Sequence, residues 1–313
     1  MRILVTGGAG FIGSHVADAL LAAGHQVLVL DDLSTGRRTN VPEKATFVQG
    51  DIRDAAVVAR VFSEFQPELV THQAAQTSVS VSTREPLRDA EINVLGSLNI
   101  LQECVKQKVQ KVVFASTGGA IYGEVPDGKR AREDWAPNPL SPYACSKFAV
   151  EKYLHAYGNE HGLRSTVLRY ANVYGPRQDP HGEAGVVAIF SERLLRGEPI
   201  QVNARKQTGD DGCVRDYVYV ADVVKANVLA IEGKLAQSPV NVCTGEATTT
   251  LDLARKMERA AGVTAIIHHG ARREGDVERS VLDPGTPPPL GPATSLHDGL
   301  TQTMAWFRQR ARS

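Results

Sequence analysis

What this 313-residue chain lacks already narrows its function. It carries no excess of either charge: Lys and Arg together number 35, and so do Asp and Glu. Such balance leaves no broad electrostatic footprint for nucleic acid or an anionic membrane surface, so any phosphate-binding arginines must be placed locally. Its cysteines show no CxxC spacing. Cys104, Cys145, Cys213 and Cys243 each sit in or beside an apolar run, which reads as free, buried thiols in a reducing compartment. Long hydrophobic runs are missing too. The longest apolar stretch, Ala17 to Leu30, is broken by Asp18, Gly24, His25 and Gln26, so no membrane span is expected. The strand-like opening Arg2-Ile3-Leu4-Val5 leaves no room for a charged leader, and a cytoplasmic location is expected. His268 and His269 have no third ligand at metal-binding spacing, so no metal is expected. Repeats are absent, and the one low-complexity tract is Pro287-Pro288-Pro289.

What is present has globular composition, 42% hydrophobic and 22% charged, in a chain long enough for one large α/β domain and a smaller lobe. Short apolar runs at Ile3–Val5, Val27–Leu30, Thr46–Val48, Leu69–Thr71, Val112–Ala115 and Thr166–Leu168 predict buried strands. Helical periodicity fills the gaps at Phe11–Ala23, Ala55–Phe65, Leu87–Gln107 and Tyr143–Glu160. Regular alternation predicts a Rossmann-type, doubly wound parallel sheet, over residues 1–170. From about Tyr170 the pattern loosens into Pro-, Gly- and charge-rich loops. Residues 171–313 are expected to form a smaller C-terminal α/β substrate lobe, with segments near 214–243 returning to the first domain.

Thr6-Gly7-Gly8-Ala9-Gly10-Phe11-Ile12-Gly13 follows the first strand and opens the first helix. Gly7, Gly10 and Gly13 permit a tight turn, close approach to a pyrophosphate and close helix packing, with Phe11 and Ile12 offering backbone N–H groups at the helix start. Asp31 ends the second strand, where a carboxylate hydrogen-bonds the adenosine ribose and repels a 2′-phosphate. NAD is therefore expected over NADP. Asp51 and Ile52, after the third strand, are candidate adenine contacts, and Ala74, after the fourth, is a further cofactor contact.

Ser141-Pro142 opens a helix with a hydroxyl cap and a proline in the first turn. Tyr143 and Lys147 then share one face. A phenol with its ordinary pKa near 10 is a poor base at neutral pH. An adjacent ammonium and a positive nicotinamide ring are expected to favour the phenolate. Lowering its pKa by roughly 3 units requires about 4 kcal/mol.

Taken together, TGGAGFIG, Asp31, YACSK, RYANVYGPRQ (Arg169 to Gln178) and RDYVYVADVV (Arg215 to Val224) resemble the extended short-chain dehydrogenase/reductase family, in its UDP-galactose 4-epimerase type. The resemblance implies bound NAD, Tyr143 as base, Lys147 as cofactor anchor, Tyr170 beside the nicotinamide and Asn93 near the active centre. It implies that Asn172, Arg215 and Arg273 hold the UDP phosphates, with Asp276 near the ribose, and that two copies pair through the helices Leu87–Gln107 and Tyr143–Glu160. Fork-shaped, permanently charged arginines suit a diphosphate.

One departure stands out. The family places a catalytic Ser or Thr four residues before the tyrosine of a V/I-Y-G turn, and here Ile121-Tyr122-Gly123 puts Gly118 there. Thr117 and then Ser116 are the nearest hydroxyls. Related 4,6-dehydratases carry an Asp-Glu pair just before this turn, and UDP-glucuronate decarboxylases a Glu. Gly118-Gly119-Ala120 holds no carboxylate, which favours simple epimerisation. Ser280, seven residues after Arg273, occupies the position where a bulky Tyr tends to exclude an N-acetyl group, so UDP-N-acetylhexosamines are expected to fit as well as UDP-hexoses. The rival expectations are an epimerase or decarboxylase of UDP-uronic acids, and a non-catalytic NAD-binding regulator.

Overall fold

The computed structural model describes residues 1–181, 185–235, 238–273, 277–286 and 289–312. The chain divides into two compact units. The first comprises Met1–Thr117, Pro139–Arg169 and Val224–Val240; the second comprises Gly118–Asn138, Tyr170–Val223 and Asn241–Ser313. The chain thus returns to the first unit over a shorter stretch than the 214–243 expected. It also lends residues 118–138 to the second, an excursion that no composition shift announces.

The main sheet is built from β1 (Arg2–Thr6), β2 (Gln26–Asp31), β3 (Thr46–Gln49), β4 (Leu69–His72), β5 (Lys111–Thr117) and β6 (Arg164–Tyr170), with Val240–Val242 at one edge. Across the sheet the order is β3-β2-β1-β4-β5-β6 and then Val240–Val242. β1 pairs in parallel with both β2 and β4, so Val5 lies between Val29 and Thr71. β2–β3 and β4–β5 are parallel as well. The order reverses at β1 and β4, and a doubly wound sheet opens its ligand crevice at the carboxyl ends of such a pair.

Apolar alternation becomes a core here because each strand faces helices. Leu4, Leu28, Leu30, Val70, Val112 and Phe114 are buried together with Val58, Val61 and Phe62 of the helix Ala55–Phe65. Ile100, Leu101 and Cys104 of Gly96–Lys106 join the same core, as do Val150 and Leu154 of Pro142–His161. Each apolar side chain so enclosed contributes about 1.5–3 kcal/mol. The helix Pro142–His161 starts where the sequence signals it: Ser141 Oγ accepts from Ala144 N at 3.3 Å, and Gly162 ends it in the left-handed region at φ 67°.

Two expectations are corrected. Leu87–Gln107 is not one regular helix but a short helix Pro86–Ala90, a π-helical turn Glu91–Leu95 and the helix Gly96–Lys106. The wider turn carries Asn93, whose amide bonds the Gln76 backbone on both sides, accepting from N at 2.9 Å and donating to O at 2.9 Å. Apolar periodicity alone does not register one inserted residue. Cys145 is exposed rather than buried, although Cys104, Cys213 and Cys243 are buried. At 3.6 residues per turn it points nearly opposite to Tyr143.

The second unit contains small sheets. Asn172–Tyr174 pairs in parallel with Tyr217–Tyr219, and Val214–Arg215 lies between Thr248–Thr249 and Arg279–Ser280. Ile200–Asn203 pairs with Ile267–Gly270, which carries His268 and His269 on its exposed part. The helices Val186–Arg196, Thr250–Ala261 and Leu296–Arg312 bury Phe190, Leu194, Leu253, Met257, Leu300 and Met304. Among the described residues no helix is long and apolar enough to cross a membrane.

Candidate active site

In the first unit the glycine loop joins β1 to the helix Phe11–Ala22. Gly7 is left-handed at φ +68°, and a Cβ there would stand 2.6 Å from Ala74 N, so loop and β4 terminus touch through backbone. A Cβ on Gly13 would meet Gly7 O at 2.2 Å. Gly10 is the N-cap residue, and no side chain caps this helix. The N–H groups of its first turn, from Phe11 and Ile12 onward, are therefore open to an anion, and the helix dipole favours one.

Asp31 closes β2 and is buried at the loop. Its Oδ2 accepts from Ala9 N and its Oδ1 from Leu33 N, both at 2.9 Å. Burial raises its pKa, and those two backbone bonds oppose the rise. Each oxygen retains capacity for a further donor. Asp51 instead grips its neighbour: Arg53 N donates at 2.8 Å, and Arg53 Nε and Nη2 donate to Oδ2 at 2.9 and 2.5 Å. These bonds lower its pKa. Ile52 is buried beneath Gly96, where a Cβ would come within 2.7 Å of it. Ala74 N donates to Thr6 Oγ1 at 3.3 Å.

Tyr143 lies in the first turn of the helix Pro142–His161 and is hydrogen-bonded by the Thr117 hydroxyl at the end of β5. Ser116 is engaged elsewhere, donating to Glu151 Oε1 at 2.5 Å. Glu151 also accepts from Arg169 Nε at 3.0 Å and Nη2 at 2.6 Å, a buried ion pair beneath β5. Lys147 is 3% exposed, donates from Nζ to Ala115 O at 2.9 Å and stands 4.8 Å above the Phe114 ring. Desolvation pulls its pKa down to about 8, while Asp89 and Glu151 resist. At neutral pH it still carries its proton.

The expected effect of Lys147 on the phenol is not met by the chain alone. Desolvation pushes the Tyr143 pKa up to about 12; the Thr117 bond lowers it and the charge of Asp89 raises it. The ammonium is drawn to the Ala115 carbonyl, and an enclosed carboxylate works against the phenolate.

Within the second unit, Tyr170 is buried. Asn172 N donates to Asp216 O at 2.9 Å, and Gly119 is so close to Asn172 that a Cβ would be 3.3 Å from its Oδ1. Arg215 sits opposite Ser280 in the parallel register and donates from Nη1 to Val214 O at 3.0 Å. Asp216 is buried beside it, accepting from Thr244 N at 2.9 Å, Thr244 Oγ1 at 2.7 Å and Gly245 N at 2.9 Å. This block brings Asn172, Arg215 and Ser280 together. Arg273 is not bonded into it: with the Asn203 amide oxygen turned toward the guanidinium, Arg273 donates from Nε at 2.7 Å and Nη2 at 3.2 Å. Its neighbour Arg272 pairs with Glu278 at 3.1 Å. Asp276 lies outside the described residues.

Residues 3–243 match the NAD dependent epimerase/dehydratase family. The chain belongs to that family. A UDP-glucose 4-epimerase of Mycolicibacterium smegmatis is 43% identical over 320 residues, covering all of both chains. The crystal structure of Thermus thermophilus UDP-glucose 4-epimerase in complex with NAD is similar at a TM-score of 0.95 and 54% identity, over 98% of this chain and 99% of that one. The Thermotoga maritima UDP-glucose 4-epimerase with UDP-glucose gives 0.93 and 47%, over 99% and 100%.

Against this epimerase/dehydratase background, Gly118-Gly119-Ala120 forms one helical turn with Ile121 and carries no acid. Sequence reasoning missed Gln76, Asp89, Ser146, Glu151 and Arg169, polar groups around Tyr143 and Lys147 of which Asp89, Ser146 and Arg169 are buried. Ser146 and Glu151 were findable, since they follow Tyr143 at i+3 and i+8 on the inward helix face. Asp89 was not, because its partner Ser146 is 57 residues away.

Proposed function

We propose that this chain is an NAD-dependent epimerase acting at C4 of a UDP-hexose, interconverting UDP-galactose and UDP-glucose through a transient 4-keto sugar. One observation carries the reading. The first unit combines a glycine loop packed so tightly that a Cβ at Gly7 or Gly13 would strike backbone, an uncapped helix start behind it, Asp31 at that loop, and the Tyr143–Thr117 pair with Lys147. Those residues suit NAD: open first-turn N–H groups for its phosphates and a carboxylate for its adenosine ribose.

When bound, NAD supplies a hydride acceptor for C4 and a positive ring charge. Tyr143 removes the proton of the sugar 4-OH and returns it to the product oxygen. Thr117 hydrogen-bonds the phenol and, in the place of the absent Gly118 hydroxyl, serves the same oxygen. Lys147 would anchor the cofactor and bring a positive charge to the site. Asn172, Arg215 and Arg273 hold the diphosphate with charge-assisted bonds while the loosely held keto sugar turns over. Since NAD is restored in each cycle, no external redox partner is consumed. The absence of an acid at 118–120 supports epimerisation over elimination.

Ser280 supports acceptance of UDP-N-acetylhexosamines, since it sets a short side chain in register with Arg215 where a Tyr would add bulk. Exposed Leu87, Leu95 and Tyr153, on the two helical segments named for pairing, support a homodimer. Free thiols and an internally recycled cofactor support a cytoplasmic location.

The test is direct. Denatured protein should release NAD, and native protein given UDP-galactose without added cofactor should form UDP-glucose. UDP-glucuronate should be left unchanged. Turnover of UDP-glucuronate alone would replace this reading with the uronic acid enzyme, and bound NAD without turnover of either would replace it with a regulator.

A further inference from the structure

Asp89 is wholly buried in the first unit, and none of the roles above uses it. Its Oδ1 accepts from Gln76 Nε2 at 2.8 Å and from Asn93 Nδ2 at 3.0 Å; its Oδ2 accepts from Ser146 Oγ at 2.5 Å. These three bonds tie both of its oxygens in place. Ser146 lies between Tyr143 and Lys147 in sequence, on the buried face of their helix. Asn93 belongs to the π-helical turn, and such turns recur at functional sites.

We propose that Asp89 is a positioning residue that anchors the Tyr143 helix through Ser146 and sets an enclosed acidic group against the Tyr143–Lys147 pair. The proposal rests on Tyr143 being the base. Asp89 raises the pKa of Tyr143 and also that of Lys147. Of the other titratable groups on the helix Pro142–His161, Cys145, Lys152, Tyr153, His155, Glu160 and His161 are exposed. On the facing helix Pro142–His161, Glu151 joins Tyr143 and Lys147 and is paired with Arg169 and Ser116. From β4 comes His72, whose pKa burial lowers to about 3 and which is therefore neutral. Arg84, Glu85, Arg88 and Glu91, on the short helical segments around Asp89, are exposed and screened by water. Asp89 acts on both members of the pair, whereas Glu151 is tied to Arg169.

Turnover needs Tyr143 without its proton and Lys147 with it. Removing the Asp89 charge favours the first and disfavours the second, so both limbs of the pH profile move to lower pH. Both shifts carry the same sign, because one negative charge favours the protonated form of each group. Asp89→Asn isolates the charge. Its oxygen can keep the Gln76 and Asn93 donors, and its NH2 can donate to Ser146, whose hydroxyl also accepts.

The experiment compares kcat–pH profiles of the wild-type holoenzyme, Asp89→Asn, Asp89→Ser and Ser146→Ala. Both neutral Asp89 variants should shift the acid and basic limbs downward together. Ser146→Ala should lower kcat a few-fold with both limbs in place. Ultraviolet titration of the phenolate, with the Tyr143→Phe trace subtracted, should show the same downward shift in Asp89→Asn. Limbs that stay put or move upward in either soluble Asp89 variant overturn the proposal, as does an equal shift in Ser146→Ala. Full activity of Tyr143→Phe would instead overturn the base assignment, a separate result.

Discussion

Replacing Gly13 by alanine sets two effects of opposite sign against each other. Gly13 lies inside the helix Phe11–Ala22, where alanine is intrinsically favoured by about 1 kcal/mol. Its Cβ, however, would stand 2.2 Å from Gly7 O, 2.8 Å from Gly7 C and 3.0 Å from Gly8 Cα. Ordinary contact between such atoms lies near 3.5 Å, so the loop must retreat by about 1 Å. The obstacle is backbone, and no rotamer change relieves it. Overpacking of this kind costs about 1–3 kcal/mol, which exceeds the propensity gain. A displacement of about 1 Å at a positioning loop costs on the order of 100-fold in function. Gly13→Ala should therefore purify with little NAD, bind added NAD roughly 10- to 100-fold more weakly and melt at lower temperature than wild type. Calorimetric NAD titration and a thermal melt read both quantities. Full NAD content with a raised Tm would show that propensity prevails and that the close approach does not define the cradle.

Tyr143→Phe should reduce kcat by orders of magnitude while UDP-sugar affinity, measured by calorimetry, stays near wild type. Turnover should fall above about pH 8, as Lys147 loses its proton: its pKa is lowered, so the charged form prevails below that value and is lost above it. Ser280→Tyr should abolish turnover of UDP-N-acetylgalactosamine while sparing UDP-galactose, checked by coupled product assays. Asp31→Asn should narrow the preference for NAD over NADP in equilibrium binding, because the carboxylate's repulsion of a 2′-phosphate is gone.

Much of the fold was legible because buried parallel strands and amphipathic helices carry short-range patterns. β1, β2 and β4 appear within a residue or so of their apolar runs, and Ser141-Pro142 marks a helix start that the Ser141–Ala144 bond bears out. The π-helical turn at Glu91–Leu95 was hidden, because it follows from tertiary bonds of Asn93 to Gln76. Motif spacing named Tyr143 and Lys147, but their electrostatics depend on burial and on Asp89, distant in sequence. That is why the chain's own groups raise the phenol pKa where local reasoning expected a fall. Membership of residues 118–138 in the second unit is likewise a long-range property, fixed by contacts such as Asn138 N to Ile121 O and Val125 N to Arg279 O.

Isotopic tracing reaches the central claim most directly. UDP-galactose carrying deuterium at C4, incubated with the protein in ordinary water, should yield UDP-glucose that retains the deuterium at C4, because the hydrogen leaves and returns without meeting solvent. Loss of the label to water, or uptake of solvent deuterium at C4 in the converse experiment, would contradict redox epimerisation.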